Sequence, residues 1–247
     1  MFKLIKNQYF SLETKQKVFF GFGTRKFSVE KISDKVFLKL KREFKDLQSA
    51  IFSYQAHQTK IKKITSSTKI KKGANVLKGF DGFITERKNL ALVVFTADCV
   101  PIIYYDEKLI GVSHQGWRGT LENFSQKMIN SLVEAGAKLK SLKVVIGPSI
   151  GECCYDIPIS RAEKFEKKYP HWAKEFLKFS LDQKKVFLNL LKLNYLQLLQ
   201  AGVSSENVSF FPFCTVCDRR FISFRRTKSR SKNSKLKGLM INFISKF

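Results

Sequence analysis

Apolar and polar positions along the chain follow two alternating periods. Runs rich in β-branched and aromatic residues occur at Lys17 to Phe22 and three times between Leu90 and His114, as LALVVFTADC, VPIIYY and LIGVSH. They read as strands, adjoining in the case of the last three, and the turn-like DEK makes the final pair a hairpin. LKVVIGP and NVSFFPF read as two later strands. Helical spacing begins at Asp34, a capping residue, with Phe37, Leu40, Phe44, Leu47 and Ile51 on one face. Leu121, Phe124, Met128 and Leu132 predict a helix from Thr120 that stops near Gly136, and two more helical patterns span Ser160 to Phe179 and Lys185 to Ala201. Lys60 to Lys72 reads as a loop or exposed strand. Elements alternate with no evident linker or repeat, which predicts a single α/β domain over residues 1–247. RRTKSRSKNSKLKG is poor in apolar residues, so residues 227–237 are expected to be a mobile basic loop that orders on a ligand.

Composition narrows the class. With 247 residues, 44% of them hydrophobic and 27% charged, the chain can bury a full core and is not a disordered polymer. A net charge of +26 permits attraction to any polyanion and selects none. The lysines are dispersed, but five of the ten arginines (Arg219, Arg220, Arg225, Arg226 and Arg230) crowd one short segment, which marks it as more than a solubilising surface. Five cysteines, two adjacent and two in a C-x-x-C, do not form a secreted disulfide framework. Polar residues break the first twenty positions before an apolar run reaches signal-peptide length, and no window is long enough to span a membrane. A reduced, cytoplasmic protein with no membrane partner is expected.

The chemistry resides in few residues. His57, Cys99 and His114 each end or follow an extended segment; two imidazoles and a thiolate suit Zn(II), although the spacing is not that of a zinc finger. By spacing alone they read rather as a surface residue, a strand thiol and a strand-end histidine. The run SHQGWRG adds glycines that allow close backbone approach and an arginine before a helix start, a setting that attracts anions. Cys153, Cys154, Cys214 and Cys217 suggest a structural four-cysteine zinc site, but such sites usually join two C-x-x-C knuckles and here one half is an adjacent pair. The C-x-x-C is also open to a redox reading, and all four to a reading as small buried residues.

TADCVPI (Thr96 to Ile102), HQGWRG (His114 to Gly119), GPSIGECCYDI (Gly147 to Ile157) and CTVCDRRFISFRR (Cys214 to Arg226) resemble, in order, the signatures of the laccase-domain purine nucleoside phosphorylase family. SYQAH ending at His57, FGTR (Phe22 to Arg25) and DGFIT (Asp81 to Thr85) resemble three further motifs, so the likeness runs from about residue 20 to 226. It implies a single-domain mixed β-sheet sandwiched by helices and one zinc held by His57, Cys99 and His114. It also implies phosphorolysis of adenosine, inosine, guanosine or methylthioadenosine, with deamination of adenosine. Within these motifs Arg118, Arg225 and Arg226, with Arg25, are candidates for binding phosphate or substrate. Gln55 and Asp98 are candidates for orienting the site, and Cys153 and Cys154 for lining it. No histidine remains near the motifs to serve as general acid or base.

The chain departs from the family pattern at four motif positions, and its Cys99 to His114 interval is a little short, as a clipped hairpin at DEK would make it. Lys26-Phe27 stand where Gly-Gly is usual, Gln58 where Gly is usual, Gln115 where Ala is usual, and TKSRSKN replaces the features that follow the double arginine. Three competing functions follow from the same residues. A multicopper laccase needs on the order of ten histidines, and the three present exclude it, leaving polyphenol oxidation by an adventitious Cu2+ at the zinc ligands as a side activity. A cell-wall (peptidoglycan) editing hydrolase would use the same metal. A nucleic-acid-binding protein would use the charge and the aromatic-interleaved basic tail, but leaves the ordered motifs without a role.

Overall fold

The computed structural model describes residues 2–12, 14, 17–182, 184–230 and 235–247. Two mixed sheets lie face to face. The first runs, in spatial order, Lys3–Ile5, Tyr9–Ser11, Val18–Gly23, Leu239–Lys246, Leu90–Thr96, Ser49–Tyr54 and Gly73–Lys78. The second runs Val208–Phe210, Lys143–Ile146, Val100–Tyr105, Ile110–Gln115, Gly82–Thr85 and Ile61–Ile64. Most inner pairs are antiparallel; Ser49–Tyr54 runs parallel to both Leu90–Thr96 and Gly73–Lys78, and in the second sheet parallel pairing joins only the two edge strands to their neighbours.

The period-two geometry of the strands decides the layering. Leu92, Val94 and Ile244 of the first sheet meet Ile103, Ile110, Val112 and Val145 of the second in one buried cluster. The intervening residues point outward: Phe52, Val93 and Phe243 onto Val36 and Leu40 of the helix Lys35–Glu43. On the other side Ile102, Tyr104 and Val144 pack on Phe124, Met128 and Leu132 of the helix Phe124–Glu134, with Leu193 of the helix Leu190–Gln200. Inner strands buried on both faces have no polar side to show, which is why LALVVFT and VPIIYY read as unbroken apolar runs. The fold is the mixed α/β class that the resemblance implies, with two facing sheets between the helices. No helix among the described residues is long and apolar enough to cross a membrane.

Several elements differ from the sequence pattern. Val100–Tyr105 and Ile110–Gln115 form the expected hairpin, but Leu90–Thr96 belongs to the facing sheet, so the chain changes sheet at residues 97–99. The helix from Asp34 ends at Glu43, and Ile51 lies in a strand, where pairing on both sides outweighs helical spacing. The helix expected from Thr120 is two helices, Trp117–Leu121 and Phe124–Glu134, divided at Asn123, whose φ of 52° cannot continue a helix. Pro170 stops the next helix at Lys168, and Leu177–Phe179 is a strand. The pattern Lys185 to Ala201 resolves into the strand Val186–Leu188 and a helix capped by Asn189.

Residues 227–230 of the expected basic loop continue the helix Phe224–Arg230, and 231–234 lie outside the described residues. Leu239–Lys246, to which the pattern assigns no element, is a central strand paired with both Val18–Gly23 and Leu90–Thr96. Phe243→Ala in this strand is expected to cost about 3–5 kcal/mol in urea unfolding. Leu38→Ala, on the exposed side of the first helix, should stay within about 0.5 kcal/mol.

Candidate functional site

Cys99 lies where the chain passes from one sheet to the other, His114 in the strand Ile110–Gln115, and His57 just after Ser49–Tyr54. Their donor atoms all lie within 4.8 Å of one another. The two imidazoles stand edge to face, 4.7 Å between centroids.

One carboxylate fixes this arrangement. Asp81, fully buried, accepts the backbone N–H groups of Ala56, His57 and Gln58 at 3.1, 3.0 and 3.1 Å, and its Oδ1 lies 2.9 Å from His114 Nδ1. His57 has a left-handed φ of 57°, a conformation costing about 1–3 kcal/mol in a non-glycine residue, and the three amide bonds hold it there. With His114 Nδ1 engaged by Asp81, Nε2 is the nitrogen available to a metal. Burial would raise the Cys99 thiol, but His114 and then His57 beside it bring its pKa below the ordinary value. Burial opposes charge on His114, yet Cys99 and Asp81 against it hold its pKa up. The two shifts favour the thiolate of Cys99 and the charged form of His114 against each other, and a metal ion would take the place of the proton between them.

Gly116 of the HQGWRG motif packs closely against the ligand candidates. A Cβ there would stand 3.2 Å from Cys99 Sγ and 3.5 Å from His57 Cδ2. The helix that follows starts at Trp117, and the guanidinium carbons of Arg118 and Arg161 each lie 4.3 Å from its ring centre.

A cavity of about 650 Å³ opens over the three ligand candidates, walled by Trp117, Tyr155, Phe95 and Phe224, with Arg161 and Arg225 among its polar groups. Arg225 is braced: its guanidinium donates to the Asp156 carboxylate and, at 2.9 Å, to the Asp156 carbonyl. Asp98 lines the cavity but both its oxygens are occupied. They accept the Thr215 and Ser223 hydroxyls at 2.6 and 3.0 Å and the Arg225 N–H at 2.7 Å, while its carbonyl accepts Ile150 N–H at 2.9 Å. A φ of 96° at Asp98 is held by these four bonds. Gln55 clips onto the backbone of Phe95, donating at 3.0 Å and accepting at 2.6 Å.

The structure disperses the rest of the sequence-predicted set. Arg118 lines a neighbouring cleft with His57 and Gln58. Arg25 and Arg226 line a separate basic cavity with Arg219, Lys235 and Lys237. Arg226 is turned inward, donating to the carbonyls of Thr215 and Val216 at 2.8 and 2.7 Å and to that of Phe221. Of the four arginines singled out, only Arg225 reaches the cavity over His57, Cys99 and His114. Cys153 and Cys154 are not among the residues lining that cavity and lie instead with Cys214 and Cys217 as a second group of metal-ligating side chains.

Sequence reasoning missed Asp81, present in the DGFIT motif but given no role, and Arg161, hidden in a helical pattern. Two departures from the family pattern have visible consequences. Phe27 packs between Tyr9 and Phe243 at 5.2 and 5.8 Å. Gln115 is fully buried and its amide faces the hydroxyls of Tyr104, Ser113 and Ser125 at 3.3, 3.2 and 3.1 Å.

The comparisons place the chain. The family model described as "Multi-copper polyphenol oxidoreductase laccase" matches residues 26–246, and the chain belongs to this laccase-domain family. It is similar to the Bacillus subtilis protein named purine nucleoside phosphorylase YlmD, with 33% identity over 207 residues, 81% of this chain and 71% of that one. A protein from an unknown prokaryotic organism, named adenosine deaminase RL5, is 27% identical over 73% of this chain and 71% of its own length. Among solved structures, the Bacillus licheniformis hypothetical protein YfiH superposes with a TM-score of 0.86 at 26% identity, covering 100% of this chain and 99% of that one.

Asp81→Asn keeps the shape of the side chain but sets an amide NH2 against a hydrogen-bond donor on at least one side. Metal affinity should fall roughly 10–100-fold in competition against a chromophoric chelator, with the far-UV circular dichroism unchanged.

Proposed function

We propose that the chain is a zinc-dependent purine nucleoside phosphorylase that also deaminates adenosine, with purine nucleosides and phosphate as its substrates. The observation that carries this reading is the single cavity in which three convergent metal-ligand side chains, aromatic walls and two guanidiniums meet. Its volume lies in the usual range of small-molecule sites, about 300–1,000 Å³. The names of the Bacillus subtilis and prokaryotic relatives support the two activities.

Two imidazoles and a thiolate on a preorganised frame fit zinc, and His57, Cys99 and His114 would hold it. When bound, the metal supplies a Lewis acid and brings the pKa of water to about 7. Cu2+ competes for the same donors because it stands above zinc in intrinsic affinity; it is an adventitious replacement. Phe95, Tyr155 and Phe224 offer aromatic surface to a purine, while the Trp117 ring carries the guanidiniums of Arg118 and Arg161. Arg161 and Arg225 match the fork geometry of a phosphate, which must lie beside the ribose C1′ for the C1′–O bond to form as the glycosidic bond breaks. Arg225 is oriented by Asp156 and through its backbone by Asp98. Burial pushes the Tyr155 phenol up against the opposing charge of Arg161, so its Oη stays protonated and acts as a hydrogen-bond donor.

Chromatography of products from adenosine and inosine, with and without phosphate, tests the reading. Metal-loaded protein should release free base only with phosphate and form inosine and ammonia from adenosine without it, and His57→Ala should lose both. Arg161→Lys and Arg225→Lys should each raise the phosphate KM about tenfold or more, equivalent to about 1.4 kcal/mol, while deamination persists. Failure of metal-loaded protein to turn over either nucleoside would overturn the proposal.

A further inference from the structure

The geometry points to a second metal site in this chain, a structural zinc tetrathiolate built by Cys153, Cys154, Cys214 and Cys217. It shares no residue with the His57, Cys99 and His114 group, and it does not depend on the nucleoside reading. All four sulfurs lie within 4.8 Å of one another, and none is in a disulfide. A tetrahedral site with zinc–sulfur bonds of about 2.3 Å sets its sulfurs about 3.8 Å apart. Cys217 Sγ stands 3.7 Å from Cys153 Sγ and 3.5 Å from Cys154 Sγ, close to that edge and far from the about 2.05 Å of a disulfide.

The best-supported sulfur is that of Cys214. The Gly151 N–H donates to Cys214 Sγ at 3.2 Å, the kind of backbone bond that holds a ligating sulfur in place. Gly151 is closely packed: a Cβ would stand 3.2 Å from Cys214 Cβ and 3.3 Å from Cys153 Sγ, so those neighbours would have to give. Four thiols binding Zn2+ release four protons and leave a unit of net charge −2. The Arg226 guanidinium lies across the same knuckle, donating to the carbonyls of Thr215 and Val216 between the two C-x-x-C cysteines. That contact gives Arg226 a role other than phosphate binding. The adjacent pair Cys153-Cys154 succeeds as half of a site because it sits in a 3₁₀ turn, Glu152–Cys154, beside the Ser149 to Cys214 bridge.

The site joins a segment that walls the cavity to one that braces it through Asp98. Ile150 and Tyr155 flank one half, and Thr215, inside the other, donates to Asp98. Zinc here fixes the wall and takes no part in the reaction.

The test uses the full chain with His57→Ala and Cys99→Ser, which removes the first site, purified under reducing conditions without chelator. One zinc per chain is expected by elemental analysis, falling to none when Cys217→Ser is added. Co(II) should give the intense sulfur-to-metal charge-transfer absorption of four thiolates, weakened in intensity but retained with Cys153→His. The second variant guards against loss by misfolding, because it keeps a ligand while removing a thiol. In the protein with only the first site disabled, the four thiols should resist a thiol reagent until a strong chelator is added. A zinc-free protein whose four thiols react freely, or pair into two disulfides on mild oxidation without ever holding metal, would overturn the proposal. So would a zinc content indifferent to Cys217→Ser, whether or not the wild-type chain turns over nucleosides.

Discussion

The buried carboxylate of Asp81 is the constraint on which the candidate metal centre depends. A lone carboxylate in an apolar interior is strongly disfavoured, and this one persists because it is surrounded by donors: three consecutive amides and an imidazole. The same bonds that satisfy Asp81 hold His57 in its left-handed conformation and fix which nitrogen of His114 is free. Desolvation and ligand placement are thus a single balance.

The second organising feature is the passage of the chain between sheets at residues 97–99. Antiparallel neighbours joined by a tight turn would leave no room for a site, whereas a crossover between facing sheets creates a gap at their ends. Cys99 sits in that gap, and Asp98 ties it to the 147–151 segment and to the arginine-rich tail. The tail returns to the core as the strand Leu239–Lys246, wedged between two others, so the cavity wall is anchored at both ends by elements buried in the core. The four clustered cysteines lie behind this wall, beside the Ser149 to Cys214 bridge. Distant parts of the sequence are held around the cavity by hydrogen bonds and sheet pairing.

How much of this was legible in the sequence follows from the range of each interaction. Strands whose apolar runs are dictated by burial on both faces, such as Val100–Tyr105 and Ile110–Gln115, were readable because burial leaves its mark at the residue itself. His57, Cys99 and His114 stand out as a group through the family resemblance of the motifs that hold them, since their spacing alone carries no metal-site signature. Ile51 was misassigned to a helix because helical spacing is a local cue, while its strand is made by partners at Ala74 to Val76 and Leu90 to Leu92. The strand Leu239–Lys246 was hidden behind a basic, apolar-poor passage, although its pairing makes it central.

By itself, then, the sequence determined the α/β class, the family resemblance and the candidate ligands, because these are inscribed in residue type, period and motif order. Only the tertiary structure decided which arginines face the cavity, that Asp81 governs the ligands, and that an adjacent cysteine pair meets a distant C-x-x-C. Those outcomes depend on side-chain direction and on contacts between segments tens of residues apart. Charge and spacing along a chain do not encode them: Arg225 and Arg226 are neighbours in sequence, yet one points into the cavity and the other is bound to backbone carbonyls.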